Sequence, residues 1–133
     1  MKTAVLGLGL MGSEIALRLR RQGGEVTCWN RGVERAQAAR ERGLPVVATA
    51  AEAIAAADVI LLVLSDAQAI RETLLDDADV ARALGGRILV QMGTIGPAES
   101  RDIATRLESP GARYLGAPVL GSTSEVRAGR LSL

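Results

Sequence analysis

Three glycines near the start of the chain, Gly7, Gly9 and Gly12, have the spacing G-x-G-x-x-G. They follow an apolar run over residues 3–6 and lead into residues 13–19, where apolar side chains recur at helical spacing. Between a strand and a helix, this pattern predicts a loop that binds the phosphates of a dinucleotide. The residues assigned to that contact are Gly7, Leu8, Gly9, Leu10, Met11 and Gly12.

Each glycine of this loop has a separate physical task. Gly7 permits the tight turn out of the strand, Gly9 lets the backbone approach a pyrophosphate that a side chain would push away, and Gly12 lets the helix pack close to the sheet. The helix N-terminus faces the phosphates, and its free N–H groups and the positive end of its dipole favour an anion there. The alternative is a glycine-rich turn in an ordinary α/β protein.

A second candidate contact, Asn30-Arg31, comes directly after the β-prone segment 25–29 and about 20 residues beyond the glycines. Domains that bind NAD place an Asp or Glu here, which accepts a hydrogen bond from the ribose 2′-hydroxyl. A carboxylate would repel a 2′-phosphate, whereas a guanidinium can pair with it through two hydrogen bonds. We therefore expect Asn30 and Arg31 to contact NADP(H), with NAD(H) as the second option. The alternative for Arg31 is a solvated loop arginine in an arginine-rich chain.

The residue types exclude several kinds of chemistry. The 133 residues contain no histidine, one cysteine (Cys28) and one lysine (Lys2). The commonest general base and the commonest metal ligand are therefore missing, and no spacing of acids resembles a metal site. We assign no catalytic residue and no metal ligand. With Trp29 and Tyr114 as the only aromatic residues, a base-stacking surface for nucleic acid is not expected either.

Composition bounds the class of protein. With 48% hydrophobic and 23% charged residues and a net charge of +1, the chain has the balance of a globular protein, and residues 1–133 are predicted to form one domain. This charge gives no reason to expect nucleic acid or a membrane as a partner. A single cysteine fits a reducing compartment, and the N-terminal apolar run is too short for a signal peptide or a membrane span. The expected location is the cytoplasm.

The elements that must position the candidate residues alternate between strand and helix. An apolar run over residues 58–64 reads as a central strand covered on both faces, and Ser65-Asp66 can cap the helix that follows. We expect an α/β fold with a doubly wound, mostly parallel sheet of the Rossmann type. Helices are predicted at 11–21, 33–41 and 50–56, after Asp66 and after Pro97, and strands at 3–6, 25–29, 45–47, 58–64, 87–91 and 113–115.

The carboxyl end of the central strand is the next place where a cofactor contact is expected. In a doubly wound sheet, ligands gather at the carboxyl ends of the strands. Leu64, Ser65 and Asp66 occupy that end of the run over residues 58–64. We therefore assign these three residues to the cofactor site.

Taken together, the motifs resemble the cofactor-binding half of the β-hydroxyacid dehydrogenases, which is similar to that of 6-phosphogluconate dehydrogenase and of imine reductases. Residues 93–97 resemble the family's S-T-x-S-P loop, and this resemblance implies that Thr94 contacts the cofactor. Residues 116–122 resemble its D-A-P-V-S-G-G substrate loop, which implies substrate contacts at Gly121 and Ser122. The sequence departs from these patterns at Gly93, Gly116 and Leu120, which lack the hydroxyl or carboxylate groups of the family's residues. These departures weaken the inference that the loop makes the family's hydrogen bonds to substrate.

The resemblance also implies what these 133 residues lack. In the family, a G-x-x-x-K-x-x-N helix with the catalytic lysine lies beyond the substrate loop, followed by an all-helical domain that closes the site and dimerises. That segment is absent here, and Lys2 precedes the first strand and is no equivalent. A homo-oligomer is expected only when the helical half is present.

The expected function is that of the NADP-binding domain of a hydroxyacid-dehydrogenase-type oxidoreductase, similar to 3-hydroxyisobutyrate dehydrogenase. Its reaction would be hydride transfer between the nicotinamide and a small hydroxy acid or aldehyde, and the chain by itself is expected to be inactive. The alternatives are an imine reductase-like, NADPH-dependent domain and a non-catalytic NADP-binding module. Whether the chain is itself an enzyme stays open at this point.

Overall fold

Apolar runs of the sequence form a parallel sheet in the computed structural model, which describes residues 1–93, 95–108 and 110–117. The strands in these ranges are β1 (Lys2–Leu6), β2 (Glu25–Trp29), β3 (Val59–Leu62), β4 (Ile88–Gln91) and β5 (Arg113–Gly116). The helices in these ranges are α1 (Leu10–Arg21), α2 (Val33–Glu41), α3 (Ala50–Ala55), α4 (Ala67–Leu74), α5 (Ala78–Ala83) and α6 (Pro97–Glu108).

The strand order is β2-β1-β3-β4-β5, and every neighbouring pair is parallel. Because parallel neighbours need crossover connections, the intervening helices lie against the two faces of the sheet. The chain runs from β1 outward to β2 and then crosses to β3 on the other side of β1. The strand order therefore reverses between β1 and β3, and it is at such a point that open α/β sheets form a ligand crevice. This confirms the predicted fold class.

Side-chain alternation along the strands divides the core into two layers. Ala4 and Leu6 of β1 pack in the layer that also contains the buried side chains Ile70 and Ile103 of α4 and α6. Val5, between them, points to the other face, where it packs in a layer with residues of α1 and α2. A period of two along a strand buried on both faces explains why these runs are continuously apolar.

Residues 45–47 differ from the prediction, since they make an isolated parallel bridge to β2 and no strand of their own. The Cys28 N–H donates to the Pro45 carbonyl at 2.9 Å, and the Val47 N–H donates to the Cys28 carbonyl at 2.9 Å. Pro45 has no N–H with which to extend this ladder. The segment therefore lies beside β2 for a single residue pair.

Helix α5 was not predicted from the sequence, although its start carries a recognisable signal. The Asp77 carboxylate accepts hydrogen bonds from the Asp79 N–H at 2.8 Å and the Val80 N–H at 3.3 Å. Such a cap satisfies backbone donors that the first turn of a helix leaves open. Within the described ranges, no helix is both long and apolar enough to cross a bilayer.

Candidate functional site

Gly7 and Gly12 are required by the backbone packing of the loop between β1 and α1. Gly7 has φ +104°, and a β-carbon there would lie 2.2 Å from the carbonyl oxygen of Val63, just after β3. A β-carbon on Gly12 would lie 1.8 Å from the carbonyl oxygen of Gly7. Both distances are far below van der Waals contact, so these two glycines let the loop, the helix and the end of β3 meet.

Gly9 differs from the other two glycines because, among the described residues, only the end of the flexible Arg35 side chain lies beside it. Its backbone is extended, with φ −69° and ψ −165°, a conformation that any residue adopts. The nearest described atom to an added β-carbon is Nη1 of Arg35, at 3.1 Å, the end of a flexible side chain. Neither the backbone conformation nor the packing of the described residues therefore demands glycine at this position. The remaining explanation for a glycine at position 9 is the space that its missing side chain leaves in front of α1.

The N-terminus of α1 offers free hydrogen-bond donors to that space. Gly9 is the N-cap residue and provides no side-chain cap, and the first backbone bond of the helix runs from the Ser13 N–H to the Gly9 carbonyl at 3.0 Å. The N–H groups of the first turn therefore have no partner within the helix. No acidic residue lies in that turn. The helix dipole thus presents an unopposed positive end, which favours an anion.

Two side chains hold the backbone of the glycine loop in place through Leu8. The Leu8 N–H donates to Oδ1 of Asn30 at 2.9 Å, and Oγ of Ser13 donates to the Leu8 carbonyl at 3.0 Å. The Asn30 amide in turn donates from Nδ2 to the Gly32 carbonyl at 2.9 Å. Asn30 therefore fastens the loop after β1 to the loop after β2, and the two loops are fixed relative to each other.

A cleft of about 930 Å³ opens at the carboxyl ends of β1, β2 and β3. Its volume is near the upper end of the range typical of small-molecule and cofactor sites, about 300–1,000 Å³. The sequence-predicted residues that line it are Gly7, Gly9, Leu10, Met11, Gly12, Asn30, Arg31, Leu64 and Ser65. The lining residues that sequence reasoning did not name are Gly32, Val33, Glu34, Arg35, Val63, Ala69 and Thr73.

Two predicted contacts, Leu8 and Asp66, are described but do not line the cleft. Leu8 is buried, and its backbone serves the loop. The Asp66 carboxylate caps α4 by accepting a hydrogen bond from the Ala69 N–H at 2.8 Å. This capping role was also predicted from the sequence. The predicted contacts Thr94, Gly121 and Ser122 lie outside the described residues.

Arg31 makes an ion pair with Glu72 of α4. Arg31 stands on the β2 side of the cleft and is 70% exposed, whereas the Glu72 side chain is 37% exposed. Nε2 of Gln68, one turn earlier in α4, donates to the other oxygen of Glu72 at 2.9 Å. The hydrogen bond from Gln68, followed by the hydrogen bond and the charge of Arg31, lowers the pKa of Glu72 below its ordinary value.

Arg35 is a second cation at the cleft, and the sequence analysis missed it. It lies in the first turn of α2, and its guanidinium reaches back over Gly9. Arg35 also lines a smaller cavity of about 220 Å³ between α1 and α2, together with Arg42. The signal that could have found it is its place in the first turn of the helix that follows Asn30-Arg31.

The carboxyl ends of β3 and β4 are also closely packed. A β-carbon on Gly93 would lie 2.7 Å from the Leu64 carbonyl oxygen and 3.0 Å from Nε2 of Gln91. Gly93, where the sequence departs from the family's loop, therefore occupies a space that is too small for a β-carbon unless its neighbours shift. Gln91 is 1% exposed, and its Nε2 has no hydrogen-bond partner among the described residues. Sequence reasoning gave no role to Gln91.

Tyr114, Lys2 and Cys28 do not line the cleft, whereas the carboxylate residue Glu34 does. The Tyr114 hydroxyl is hydrogen-bonded to Oγ of Ser100 at 3.0 Å, between β5 and α6. Lys2 begins β1, at the opposite end of the sheet from the cleft. Burial raises the pKa of Cys28 to about 12, with the nearby charge of Arg20 opposing the rise, so the thiol is neutral at ordinary pH. Among the described residues, no group of three His, Cys, Asp or Glu side chains could hold a metal ion.

The chain is similar in sequence to known proteins. The family model for the NAD binding domain of 6-phosphogluconate dehydrogenase matches residues 2–133. An oxidoreductase of Synechocystis sp. is 35% identical over 135 residues, a match that spans 99% of this chain and 47% of that protein.

Solved structures agree with the sequence matches. The 3-hydroxyisobutyrate dehydrogenase of Mycobacterium tuberculosis, determined with L-serine, is 30% identical with a TM-score of 0.88, covering 98% of this chain and 44% of the other. The imine reductase of Myxococcus stipitatus in complex with NADP+ is 26% identical with a TM-score of 0.86, covering 94% and 43%. Its V8 variant in complex with NAD+ is 25% identical with a TM-score of 0.86, covering 93% and 42%.

The chain spans less than half the length of these relatives. Over that half, the family match and the fold are those of an NAD(P)-binding domain of hydroxyacid dehydrogenase-like oxidoreductases, which confirms the resemblance found in the sequence. The chain belongs to the family of NAD-binding domains of 6-phosphogluconate dehydrogenase.

Proposed function

We propose that this chain binds NADP(H) in the cleft and serves as the cofactor-binding domain of a hydroxyacid-dehydrogenase-type oxidoreductase. The observation that carries the proposal is the pair of arginines, Arg31 and Arg35, beside an open Gly9 and an uncapped α1. The cofactor, when bound, supplies a hydride at its nicotinamide ring, and the protein supplies binding, orientation and electrostatics.

The pyrophosphate is assigned to the space in front of Gly9. Gly9 leaves this space although the packing of the residues that the structure describes does not require a glycine there. The unpaired N–H groups of the first turn of α1 would donate to the phosphate oxygens, and the helix dipole would favour their charge. Because Asn30 and Ser13 hold the Leu8 backbone, these donors are fixed before the cofactor arrives. Little conformational entropy is then lost on binding.

The 2′-phosphate is assigned to Arg31 and Arg35. Arg31 lines the cleft just after β2, where the ribose of a dinucleotide lies in this fold, and Arg35 lines the same cleft with its Nη1 beside Gly9. Asn30 occupies the position of the acid that would accept from a ribose hydroxyl, and both ends of its amide are engaged by backbone groups of the two loops. A site with two cations and no carboxylate at that position favours a phosphate over a hydroxyl.

The reaction we propose is hydride transfer between the nicotinamide and a small hydroxy acid or aldehyde, as in 3-hydroxyisobutyrate dehydrogenase. The 133 residues contain no histidine and one lysine, Lys2, and Tyr114 is held by Ser100 away from the cleft. General acid–base assistance is typically worth about 10²–10⁴-fold in rate. We therefore place the proton-transferring group outside these residues and expect this polypeptide to bind cofactor without turnover.

Reduction of an imine is the second candidate reaction. The imine reductase of Myxococcus stipitatus is described with NADP+, and its domain superposes on this chain with a TM-score of 0.86. In addition, Gly116 removes the carboxylate that the hydroxyacid dehydrogenases carry in the substrate loop. A loop with fewer polar groups suits a less polar substrate.

Calorimetric titration of NADP+ and NAD+ into the wild-type chain tests the cofactor assignment. We expect tighter binding of NADP+, and we expect Arg31→Ala to reduce that preference by about tenfold, the lower end for a charge-assisted hydrogen bond because Arg31 is exposed. Equal affinity for both nucleotides, or an unchanged preference in Arg31→Ala, would refute it. Oxidation of NADPH against panels of semialdehydes, 2-oxo acids and cyclic imines tests the reaction, and steady turnover by the 133-residue chain would refute the placement of the proton donor.

A further inference from the structure

The ion pair between Arg31 and Glu72 joins two segments that line the cleft, the loop after β2 and helix α4. Arg31 follows β2, whereas Glu72 belongs to α4, on the other side. Ala69 and Thr73, the neighbours of Glu72 on α4, line the cleft. The two charged side chains therefore approach each other from opposite sides of the space assigned to the cofactor. They are 41 residues apart in sequence, so no local rule of helix or turn structure brings them together.

Glu72 is held in this position by a second hydrogen bond. Its other carboxylate oxygen accepts from Nε2 of Gln68 at 2.9 Å, so both oxygens have a partner. The side chain is fixed toward Arg31 by a neighbour on its own helix. These hydrogen bonds and the charge of Arg31 also lower the pKa of Glu72, so they favour its charged form.

A guanidinium has five N–H donors in one plane and pairs with a phosphate through two of them. In this structure Arg31 uses an Nη1 donor on Glu72. A 2′-phosphate that binds Arg31 must either displace the carboxylate or share the guanidinium with it. Sharing would place two anions beside each other, and like charges at that distance repel. In both cases Glu72 weakens the binding of the 2′-phosphate, and it has no comparable effect on the binding of an uncharged ribose hydroxyl.

We infer that Glu72 is a specificity-determining residue, which competes with the 2′-phosphate for Arg31 and so limits the preference of the cleft for NADP(H) over NAD(H). This inference rests on the proposed function, since it takes the 2′-phosphate to bind at Arg31. Nothing in the motifs of the glycine loop or of Asn30-Arg31 assigns a role to a residue of α4.

The test is a calorimetric titration of NADP+ and NAD+ into Glu72→Gln, which keeps an acceptor for Gln68 and removes the charge. We expect NADP+ to bind about two- to fivefold more tightly than to wild type, the effect of removing one exposed ion pair, with NAD+ affinity unchanged. The gain should shrink at high salt because exposed charges are screened. It should also vanish in the Arg31→Ala background, since the competition requires Arg31.

Two matched controls separate contact from net charge. Glu34→Gln removes a negative charge from the lining of the same cleft, and Glu108→Gln removes one at the end of α6, beyond the amino end of the sheet. We expect the gain in Glu34→Gln to be smaller than in Glu72→Gln, and no gain in Glu108→Gln. An equal gain in Glu34→Gln would overturn the inference, because the effect would then come from charge alone.

Other outcomes overturn the inference while leaving the proposed function intact. If wild type prefers NADP+ and Arg31→Ala removes that preference, but Glu72→Gln binds NADP+ like wild type, then Glu72 does not compete. If Glu72→Gln weakens both nucleotides, the ion pair closes over the bound cofactor instead. If wild type shows no preference for NADP+ and Arg31→Ala changes nothing, the proposed function fails, and the inference fails with it.

Discussion

Replacement of Gly9 by valine separates cofactor binding from folding. The backbone at Gly9 is extended, so valine meets no strain there, and the nearest atom to its β-carbon is the mobile Nη1 of Arg35 at 3.1 Å. We expect the free energy of unfolding to change by less than about 1 kcal/mol. Valine lowers the conformational entropy of the unfolded chain, and this gain in stability offsets the cost of displacing Arg35 slightly. The valine side chain instead fills the space assigned to the pyrophosphate.

The expected loss of affinity follows from the hydrogen bonds at the N-terminus of α1. The first turn of this helix has N–H groups without helical partners and without a side-chain cap. If valine prevents two of them from reaching the phosphates, the loss is about 3–6 kcal/mol, since a hydrogen bond to a charged group contributes about 1.5–3 kcal/mol. This corresponds to a dissociation constant raised about 10²- to 10⁴-fold.

Thermal or urea unfolding and calorimetric titration with NADP+ measure the two effects separately. Gly12→Ala serves as the opposite control, because its β-carbon would lie 1.8 Å from the Gly7 carbonyl oxygen. We expect that smaller substitution to destabilise the fold by at least about 3 kcal/mol. A Gly9→Val protein that binds NADP+ normally would refute the reasoning, as would one that unfolds as readily as Gly12→Ala.

Three further expectations address the same site and the core. Asn30→Asp should reverse the preference, so that NAD+ binds at least about tenfold more tightly than NADP+, because the carboxylate repels the 2′-phosphate and cannot donate a hydrogen bond to the Gly32 carbonyl. Parallel titrations with NADP+ and NAD+ measure this preference, and an unchanged preference would show that the assignment is wrong. Arg35→Ala should weaken the binding of NADP+ about tenfold and change the affinity for NAD+ by no more than about twofold. Equal losses for both nucleotides would assign Arg35 to the pyrophosphate instead of the 2′-phosphate. Burial raises the pKa of Cys28 to about 12. The neutral thiol therefore stabilises the fold below the ordinary thiol pKa, and that contribution is lost as the pH rises toward 12. Thiol-labelling rates and urea midpoints of wild type and Cys28→Ala measure this, and rapid labelling of the folded protein at pH 8 would contradict it.

The sequence was most informative where one local interaction determines the structure. The spacing of the three glycines predicted the loop and the start of α1, and Asp66 was recognised as a cap for α4 because capping depends only on the next three residues. Asn30 was placed correctly at the end of β2. Its bond to the Leu8 N–H was not foreseen, because that contact requires the register between β1 and β2.

The features that escaped prediction depend on tertiary packing. Glu72 meets Arg31 only because the crossover after β3 brings α4 to the cleft opposite β2. Arg35 reaches Gly9 only because α2 begins close to the glycine loop. The segment at Pro45 has strand-like residues but finds a partner for one residue pair. Sequence patterns determine which elements form, whereas the packing of those elements determines which side chains share a cleft.

A crystal structure of this chain with NADP+ is the most direct test of the account. We expect the pyrophosphate oxygens within about 3 Å of the N–H groups in the first turn of α1, the usual hydrogen-bond distance, and in contact with the backbone of Gly9. The 2′-phosphate should lie at ion-pair distance from Arg31 or Arg35. A pyrophosphate bound elsewhere, or a 2′-phosphate that points into solvent away from both arginines, would contradict the central claim.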